Sequence, residues 1–298
     1  MDPHPRVAAA LLPLALVAAA CGSDDSAAGD TESITIGAIP DQDPELIARN
    51  NDLLADYLSE EIGIDVEFQP VTEYSAAVTG FRVGDLDLVW FGALTGVQAR
   101  LQVDGAQAVA QRDIDAEFTS VFIAGTDTGI DPVDSVDGLS VLEGRSLTFG
   151  SESSTSGRLM PQAFLEEAGV TLEDLDGEAG FSGAHDATIE LVESGTFEAG
   201  ALSSQVWNSA VEDGTVDLDL VQLVFETPTY TNYHWVARPE LGDDLNQRIL
   251  DALAALDASD PEEAEILDFF GADTFISTEN SNYDGIESVG RSSGLIGE

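Results

Sequence analysis

A chain of 298 residues with 43% hydrophobic side chains can bury more than one core and is too apolar to be disordered. Its 57 acidic residues face ten arginines and no lysine, for a formal net charge of -47. Such a balance repels nucleic acid and anionic membrane surfaces, which excludes both as expected partners.

The N-terminus reads as a targeting segment. Val7–Ala20 is an apolar run, shorter than the about 20 residues that span a bilayer. It follows a short polar start and fits a secretory signal peptide over residues 1–20. "AAAC" resembles a bacterial lipobox, and Cys21, the only cysteine, is expected to carry a lipid. A single cysteine excludes internal disulfides. Residues 21–32, "CGSDDSAAGDTE", read as a tether.

From Ser33 the chain alternates strand and helix signals. "SITIGAIP" is β-branched and alternating, hence a strand. "DPELIARNNDLLADYLSEEIG" carries Leu46, Ile47, Leu53, Leu54, Tyr57 and Leu58 at helical spacing and stops at Gly63. "IDVEFQPV" is a strand, "EYSAAVTGFRVGD" a helix, "LDLVWFG" a buried strand and "LTGVQARLQV" a helix. "AQAVAQR" and "FTSVFIAG" are strands. The rhythm restarts with "SLTFG", a helix from "SGRLMP", a short strand in "EAGFSG", the helix "DATIELVESG", the strand "FEAGAL", the helix "SQVWNSAVEDG" and the strand "VQLVFET". "YHWVARPEL" and a helical tail close the chain.

This pattern predicts an α/β fold of two lobes, each a mostly parallel sheet flanked by helices, forming a clamp. The expected division is 33–124 plus 232–298 for lobe 1 and 125–231 for lobe 2. Ligands of such sheets sit beyond the carboxyl ends of the strands, here in the cleft between lobes.

"TFGSESSTSGRLMP" (148–161) is the segment richest in chemistry. Five of the six residues from Ser151 to Ser156 carry a hydroxyl, and a helix follows. Helix N-termini present unpaired N–H groups and partial positive charge, so they take anions. One N-cap needs one hydroxyl, and several stand here, with Ser154, Thr155 and Ser156 as donors. "FSGAHDATIELV" places His185 at a second helix start, with Asp186 beside it. His185 and His234 have no metal-ligand spacing, so no metal is expected. A hydrolase would need a G-x-S-x-G elbow or a workable Ser–His–Asp arrangement, and neither is present. The missing lysine removes nucleotide-binding loops. The charge reads as halophilic, because salt shortens the Debye length to about 3 Å at 1 M and relieves self-repulsion; an ordinary acidic secreted protein is the alternative.

These motifs carry a family resemblance. "TFGSESSTSGRLMP" is similar to the "STSG…P" segment of phosphonate-type substrate-binding proteins of ABC importers. "EYSAAVTGFRVGDLDLVWFG", "GAHDATIELVESG" and "TPTYTNYHWVARPEL" match in order and spacing, from about Ile34 to about Leu295. "IPDQDP", "WFGALTGVQARL" and "SSTSGRLMP" together look most like a subgroup labelled as selenate-binding. The resemblance implies a type II periplasmic-binding-protein clamp and a ligand held by Tyr74, Ser154, Thr155, Ser156 and His185. A second family aromatic falls on Phe118, which has no hydroxyl. The acidic positions that hold an ammonium in some members fall on Ser204 and Tyr233, so a bare oxyanion or simple alkylphosphonate is implied. Trp90 and Phe91 are expected to line the cleft, with Tyr230 and Trp235. The expected protein is an extracytoplasmic monomer, lipid-anchored through Cys21, without cofactor or catalysis. It would pass a small tetrahedral oxyanion (phosphonate, phosphite, phosphate or selenate) to a permease and its ATPase. An oxyanion-sensing domain and a phosphoester hydrolase are the rival readings.

Overall fold

The computed structural model describes Met1 and residues 33–297. The apolar run of the expected signal peptide, Cys21 and the tether lie outside the described residues.

Strand β1 (Ser33–Ala38) leads to α1 (Pro44–Ile62), β2 (Asp65–Phe68), α2 (Tyr74–Val83), β3 (Leu88–Phe91), α3 (Ala93–Arg100) and β4 (Gln107–Arg112). Next come β5 (Ser120–Gly125), β6 (Leu147–Phe149), a π-helical turn (Thr155–Leu159) and α4 (Met160–Glu167). They are followed by β7 (Gly180–Phe181), α5 (His185–Glu193), β8 (Ala199–Ser203), α6 (Ser204–Glu212) and β9 (Val221–Glu226). The chain closes with β10 (His234–Ala237), α7 (Gly242–Ala254), α8 (Pro261–Phe270), β11 (Phe275–Ser277) and α9 (Asp284–Ser292).

The helix ends follow from local chemistry. Asp43 caps α1 by accepting from the Glu45 and Leu46 N–H groups at 2.9 and 3.0 Å. Pro44 sits at the first turn, and Gly63 ends the helix at φ 64°, a left-handed conformation that glycine adopts without strain.

Two sheets result, in the orders β11-β4-β10-β3-β1-β2 and β7-β6-β8-β5-β9. They are mixed, where mostly parallel sheets were expected. β10 runs antiparallel to β3 and β4, and β5 runs antiparallel to β8 and β9. The reason is topological: each of these central strands is the first one after the chain crosses between sheets, and it enters against the direction of its neighbours. The expected lobe boundary at 124 therefore moves before Ser120, because β5 belongs to the second sheet. The expected helical tail also contains a short strand, β11, which pairs antiparallel with β4 and buries Phe275.

Residues 113–119 carry the chain from β4 to β5, and residues 227–233 bring it back from β9 to β10. These crossings lie side by side: Phe118 and Tyr230 exchange backbone hydrogen bonds, both at 2.9 Å. A narrow two-strand link of this kind suits hinge closure. It is braced by a buried ion pair. Asp115 accepts from Arg112 Nε at 2.7 Å and Nη2 at 2.8 Å, and from the Tyr233 backbone N–H at 3.1 Å. The first lobe is built around one large apolar core, and separate clusters fill the two faces of the second sheet.

Candidate functional site

β6 ends at Phe149, and the chain turns into the hydroxyl-rich segment. Sequence reasoning expects an α-helix here; the first turn is π-helical. The Leu159 and Met160 N–H groups reach back five residues to the carbonyls of Ser154 and Thr155. Such wide turns recur at functional sites. Gly157 lets the turn press against its surroundings: a Cβ there would come 2.9 Å from His185 Cε1 and 3.2 Å from Gly150 Cα.

The three expected hydroxyls are all buried. Ser154 Oγ caps the turn, accepting the Gly157 N–H at 2.9 Å. Thr155 Oγ1 accepts the Leu94 N–H at 2.8 Å, across the cleft at the start of α3. Among the described residues Ser156 Oγ makes no hydrogen bond of normal geometry, although the Tyr230 and Tyr233 side chains lie near it. Where a hydroxyl oxygen accepts a backbone N–H, its own proton stays free to donate. All three residues can therefore donate to an anion while two of them serve the fold. The capping role leaves these hydroxyl protons available.

His185 is the first residue of α5 and is fully buried. Its Nδ1 receives the backbone N–H of Ser203 at 3.3 Å, so Nδ1 is the acceptor and the ring proton sits on Nε2. Nε2 meets the Tyr233 hydroxyl at 3.1 Å. Burial lowers the imidazole to about 3, so His185 is a neutral donor near pH 7.

Tyr74 opens α2 from the first lobe. Its hydroxyl is buried without a hydrogen bond of normal geometry, although the Ser154 side chain is near enough to favour its ionised form slightly. Burial, together with the Asp41 charge, holds both Tyr74 and Tyr233 well above the ordinary phenol range, so both remain donors. Tyr233 stacks on Trp90 with centroids 5.6 Å apart, and the Arg112 guanidinium lies 4.8 Å from the Tyr233 centroid. Thus the N-termini of α2, α3, the π turn and α5 converge, linked by Leu94 to Thr155 and by Gly157 against His185. Four partial positive charges thus face one region of the cleft. Above them a groove of about 650 Å³ opens between the lobes, with Asp43 and Glu73 on one side and Glu152 and Asp186 on the other.

Sequence reasoning missed Asp41, in the loop after β1. Only 7% of it is exposed. Its carbonyl accepts the His185 N–H at 2.8 Å, and its side chain lies with Trp90, Arg112 and Tyr233 around a small inner cavity. Burial raises its carboxyl to about 6, against the nearby Tyr233 hydroxyl and the attraction of Arg112. The available signal was its position at the carboxyl end of the first strand. Arg112 and Asp115 were missed as well, since nothing in "AQAVAQRDID" marks a buried pair.

Not every expected residue reaches this site. Phe91 is core: its ring meets Phe81 edge-on at 5.8 Å. Phe118 packs edge-on against Tyr230 and Tyr233, at 6.2 and 5.6 Å, and supports Tyr233 from behind. Ser204 donates its hydroxyl to the Thr119 carbonyl at 2.9 Å, which spends it on the crossing segment. Trp235 is buried in the aromatic cluster with Trp90 and Phe270. Tyr230 contacts the Ser120 hydroxyl at 2.6 Å, and Ser120 in turn donates to the Ser156 carbonyl at 2.7 Å.

Comparison with known proteins agrees with this architecture. Residues 36–283 match the family model described as ABC transporter, phosphonate, periplasmic substrate-binding protein. The chain is 44% identical over 263 residues to a probable ABC transporter phosphite binding protein, PhnD1, of Prochlorococcus marinus, covering 87% of this chain and 89% of that one. It is 28% identical to a phosphate-import protein, PhnD, of Mycolicibacterium smegmatis, covering 86% of this chain and 82% of the relative. The structure of Prochlorococcus marinus PhnD1 in complex with methylphosphonate superposes with a TM-score of 0.86 at 43% identity, over 90% of this chain and 100% of that one. A binding component of a Pseudomonas aeruginosa phosphonate transporter shares the fold alone, with a TM-score of 0.75 at 16% identity, over 87% of this chain and 86% of that one. The chain has the two-lobed periplasmic-binding-protein fold and belongs to the phosphonate family of ABC-transporter periplasmic substrate-binding proteins.

Proposed function

We propose that this protein captures a small tetrahedral oxyanion of the phosphonate or phosphite class between its lobes and hands it unchanged to an ABC permease. Tyr74, Ser154, Thr155, Ser156 and His185 are the donors. The observation that carries this reading is a pair of buried hydroxyls, Tyr74 Oη from one lobe and Ser156 Oγ from the other, at helix N-termini, which make no hydrogen bond of normal geometry among the described residues. A buried hydroxyl without a partner costs about 1–3 kcal/mol, and an anion oxygen relieves that cost. The relatives named for phosphite and phosphate, and the methylphosphonate complex, support the same ligand class.

Residues 1–20 direct export in this reading, and a lipid on Cys21 holds the mature monomer to the outer membrane face. Cys21→Ala should release it into the medium. The acidic surface adapts it to salt, and its melting temperature should rise on adding molar salt. A hydrolase is disfavoured by the histidine itself: among the described residues, no serine hydroxyl bonds to either ring nitrogen of His185.

The test is isothermal titration of the purified protein in molar salt with methylphosphonate, phosphite, phosphate, aminoethylphosphonate, sulfate and selenate. Tight binding of a phosphorus oxyanion without release of phosphate is expected. Absence of binding to all of them would sink the proposal. Loss of uptake of that anion on deleting the gene separates transport from sensing.

A further inference from the structure

Among the described residues, the inner cavity holds an anomaly for an anion-binding site: it is lined by a carboxylate, Asp41, and by a cation, Arg112, whose charge is already paired with Asp115. Among the described residues Arg112 is the cation whose charge acts on Asp41, but that charge is paired with Asp115 and three of its five N–H donors are spent. Nε and Nη2 bind Asp115 at 2.7 and 2.8 Å, and Nη1 donates to the Phe270 carbonyl. His185 is neutral, and the Tyr74 and Tyr233 phenols keep their protons. Asp186, at the groove, adds further negative charge on the second-lobe side. With Asp41 ionised, the buried groups sum to one net negative charge.

An oxyanion without a proton would meet that charge directly in a low-dielectric space. An oxyanion that retains one acidic hydrogen would meet a hydrogen-bond acceptor. The donors the site offers a ligand are the Tyr74, Ser154, Thr155 and Ser156 hydroxyls and the His185 Nε2–H, which meets the Tyr233 hydroxyl at 3.1 Å while no ligand is bound. Among the described residues Asp41 is the carboxylate of the small inner cavity, beside Trp90, Arg112 and Tyr233, and the His185 backbone N–H holds its loop by donating to its carbonyl at 2.8 Å.

We propose that Asp41 is the specificity-determining residue of the site: it accepts the hydrogen of a protonated phosphorus oxyanion and excludes sulfate and selenate. This rests on the reading of the cleft as an oxyanion site. One proton is shared between ligand and carboxylate, whether it arrives on the anion or on Asp41. Sulfate and selenate bring none near neutrality, so they bind only when Asp41 has taken one from water.

The experiment is titration calorimetry of the full protein and of Asp41→Asn with methylphosphonate, phosphite, sulfate and selenate, in molar chloride. For the wild type, sulfate and selenate should bind at least about a hundredfold more weakly than methylphosphonate near pH 8, with affinity falling about tenfold per pH unit above the Asp41 titration. In Asp41→Asn the methylphosphonate and phosphite affinities should fall about ten- to a hundredfold, and sulfate binding should strengthen and lose its pH dependence. Wild-type sulfate or selenate binding that is tight and flat with pH overturns the assignment, and so does a folded Asp41→Asn protein with wild-type affinity for methylphosphonate. If the variant does not fold, the wild-type pH profile decides by itself. Wild-type protein that binds none of the four anions defeats the oxyanion site as a whole, which is a different result from defeat of Asp41 alone.

Discussion

His185 donates its backbone N–H to the Asp41 carbonyl at 2.8 Å, while its Nε2 meets Tyr233 at 3.1 Å. One second-lobe residue thus closes on the first lobe through both backbone and side chain. The backbone bond survives any substitution that keeps α5; the side-chain donor does not.

His185→Ala should therefore weaken methylphosphonate binding by about 1.5–3 kcal/mol without preventing closure. Because burial lowers the imidazole to about 3, the loss should be the same from about pH 5 to about pH 8. Calorimetry across that range checks it. A loss that changes with pH near the ordinary histidine value would show that the side chain titrates in place.

Thr155 and Ser156 differ in what their removal leaves behind. Thr155→Ala strands the Leu94 N–H, which it accepts at 2.8 Å, at a penalty of about 1–3 kcal/mol in the closed form. Among the described residues Ser156 Oγ makes no hydrogen bond of normal geometry, so Ser156→Ala removes an unsatisfied buried hydroxyl and should keep or raise the stability of the ligand-free protein while reducing affinity. The double variant should lose about 2–4 kcal/mol of binding free energy. Thermal melts of the ligand-free variants, set beside their titrations, separate the two effects.

Asp41 gives a stability prediction of opposite sign to its binding role. Burial raises its carboxyl from 3.8 to about 6, so its contribution to folding is most favourable below the unfolded value and is lost as pH rises through the folded one. Near pH 8 the buried carboxylate destabilises the ligand-free protein by up to about 3 kcal/mol, taking 1.36 kcal/mol per pKa unit. Asp41→Asn should then melt higher than wild type near pH 8, with the gap closing toward pH 4. His185 acts in the reverse direction: its depressed pKa gives stability above the unfolded value of about 6.5 that is lost as pH falls toward 3. The histidine is common to both proteins and cancels in the difference. An Asp41→Asn protein less stable than wild type near pH 8 would contradict the burial argument.

Gly157 tests the packing that holds the histidine. An added Cβ would come 2.9 Å from His185 Cε1 and 3.0 Å from Ser154 Oγ, and the Gly150 backbone behind it cannot give way cheaply. Gly157→Ala should cost about 1–3 kcal/mol of stability and displace the imidazole, reducing affinity although the side chain touches no ligand. Gly183→Ala makes the contrast: its φ of 91° strains any side chain, but nothing lies within 4 Å. It should lower stability without the same loss of affinity.

The fold was legible because its signals are local. Capping at Asp43, the stop at Gly63 and the apolar runs of β3 and β5 each declare themselves within a few residues. Sheet direction was not legible. That β5 and β10 enter their sheets antiparallel depends on where the chain crosses, and no short window encodes it. The hydroxyl cluster and His185 were readable for the same local reason, as donors at helix starts. Asp41 was not, since its meaning comes from Tyr233, Arg112 and His185, 71 or more residues away in the chain for each. Ser204 and Phe118 fail for the complementary reason: their sequence positions are near the site, but their side chains serve the crossing strands.

The central claim is that hydroxyls and helix N-termini, with no free cationic side chain, solvate a captured oxyanion. A crystal structure of the protein with methylphosphonate tests it most directly. Phosphonate oxygens are expected within hydrogen-bond distance of Tyr74 Oη, the Ser154–Ser156 hydroxyls and His185 Nε2, with one oxygen against the Asp41 carboxylate. An anion lodged elsewhere, or held by an arginine while Tyr74 and Ser156 stay unpaired, would contradict it.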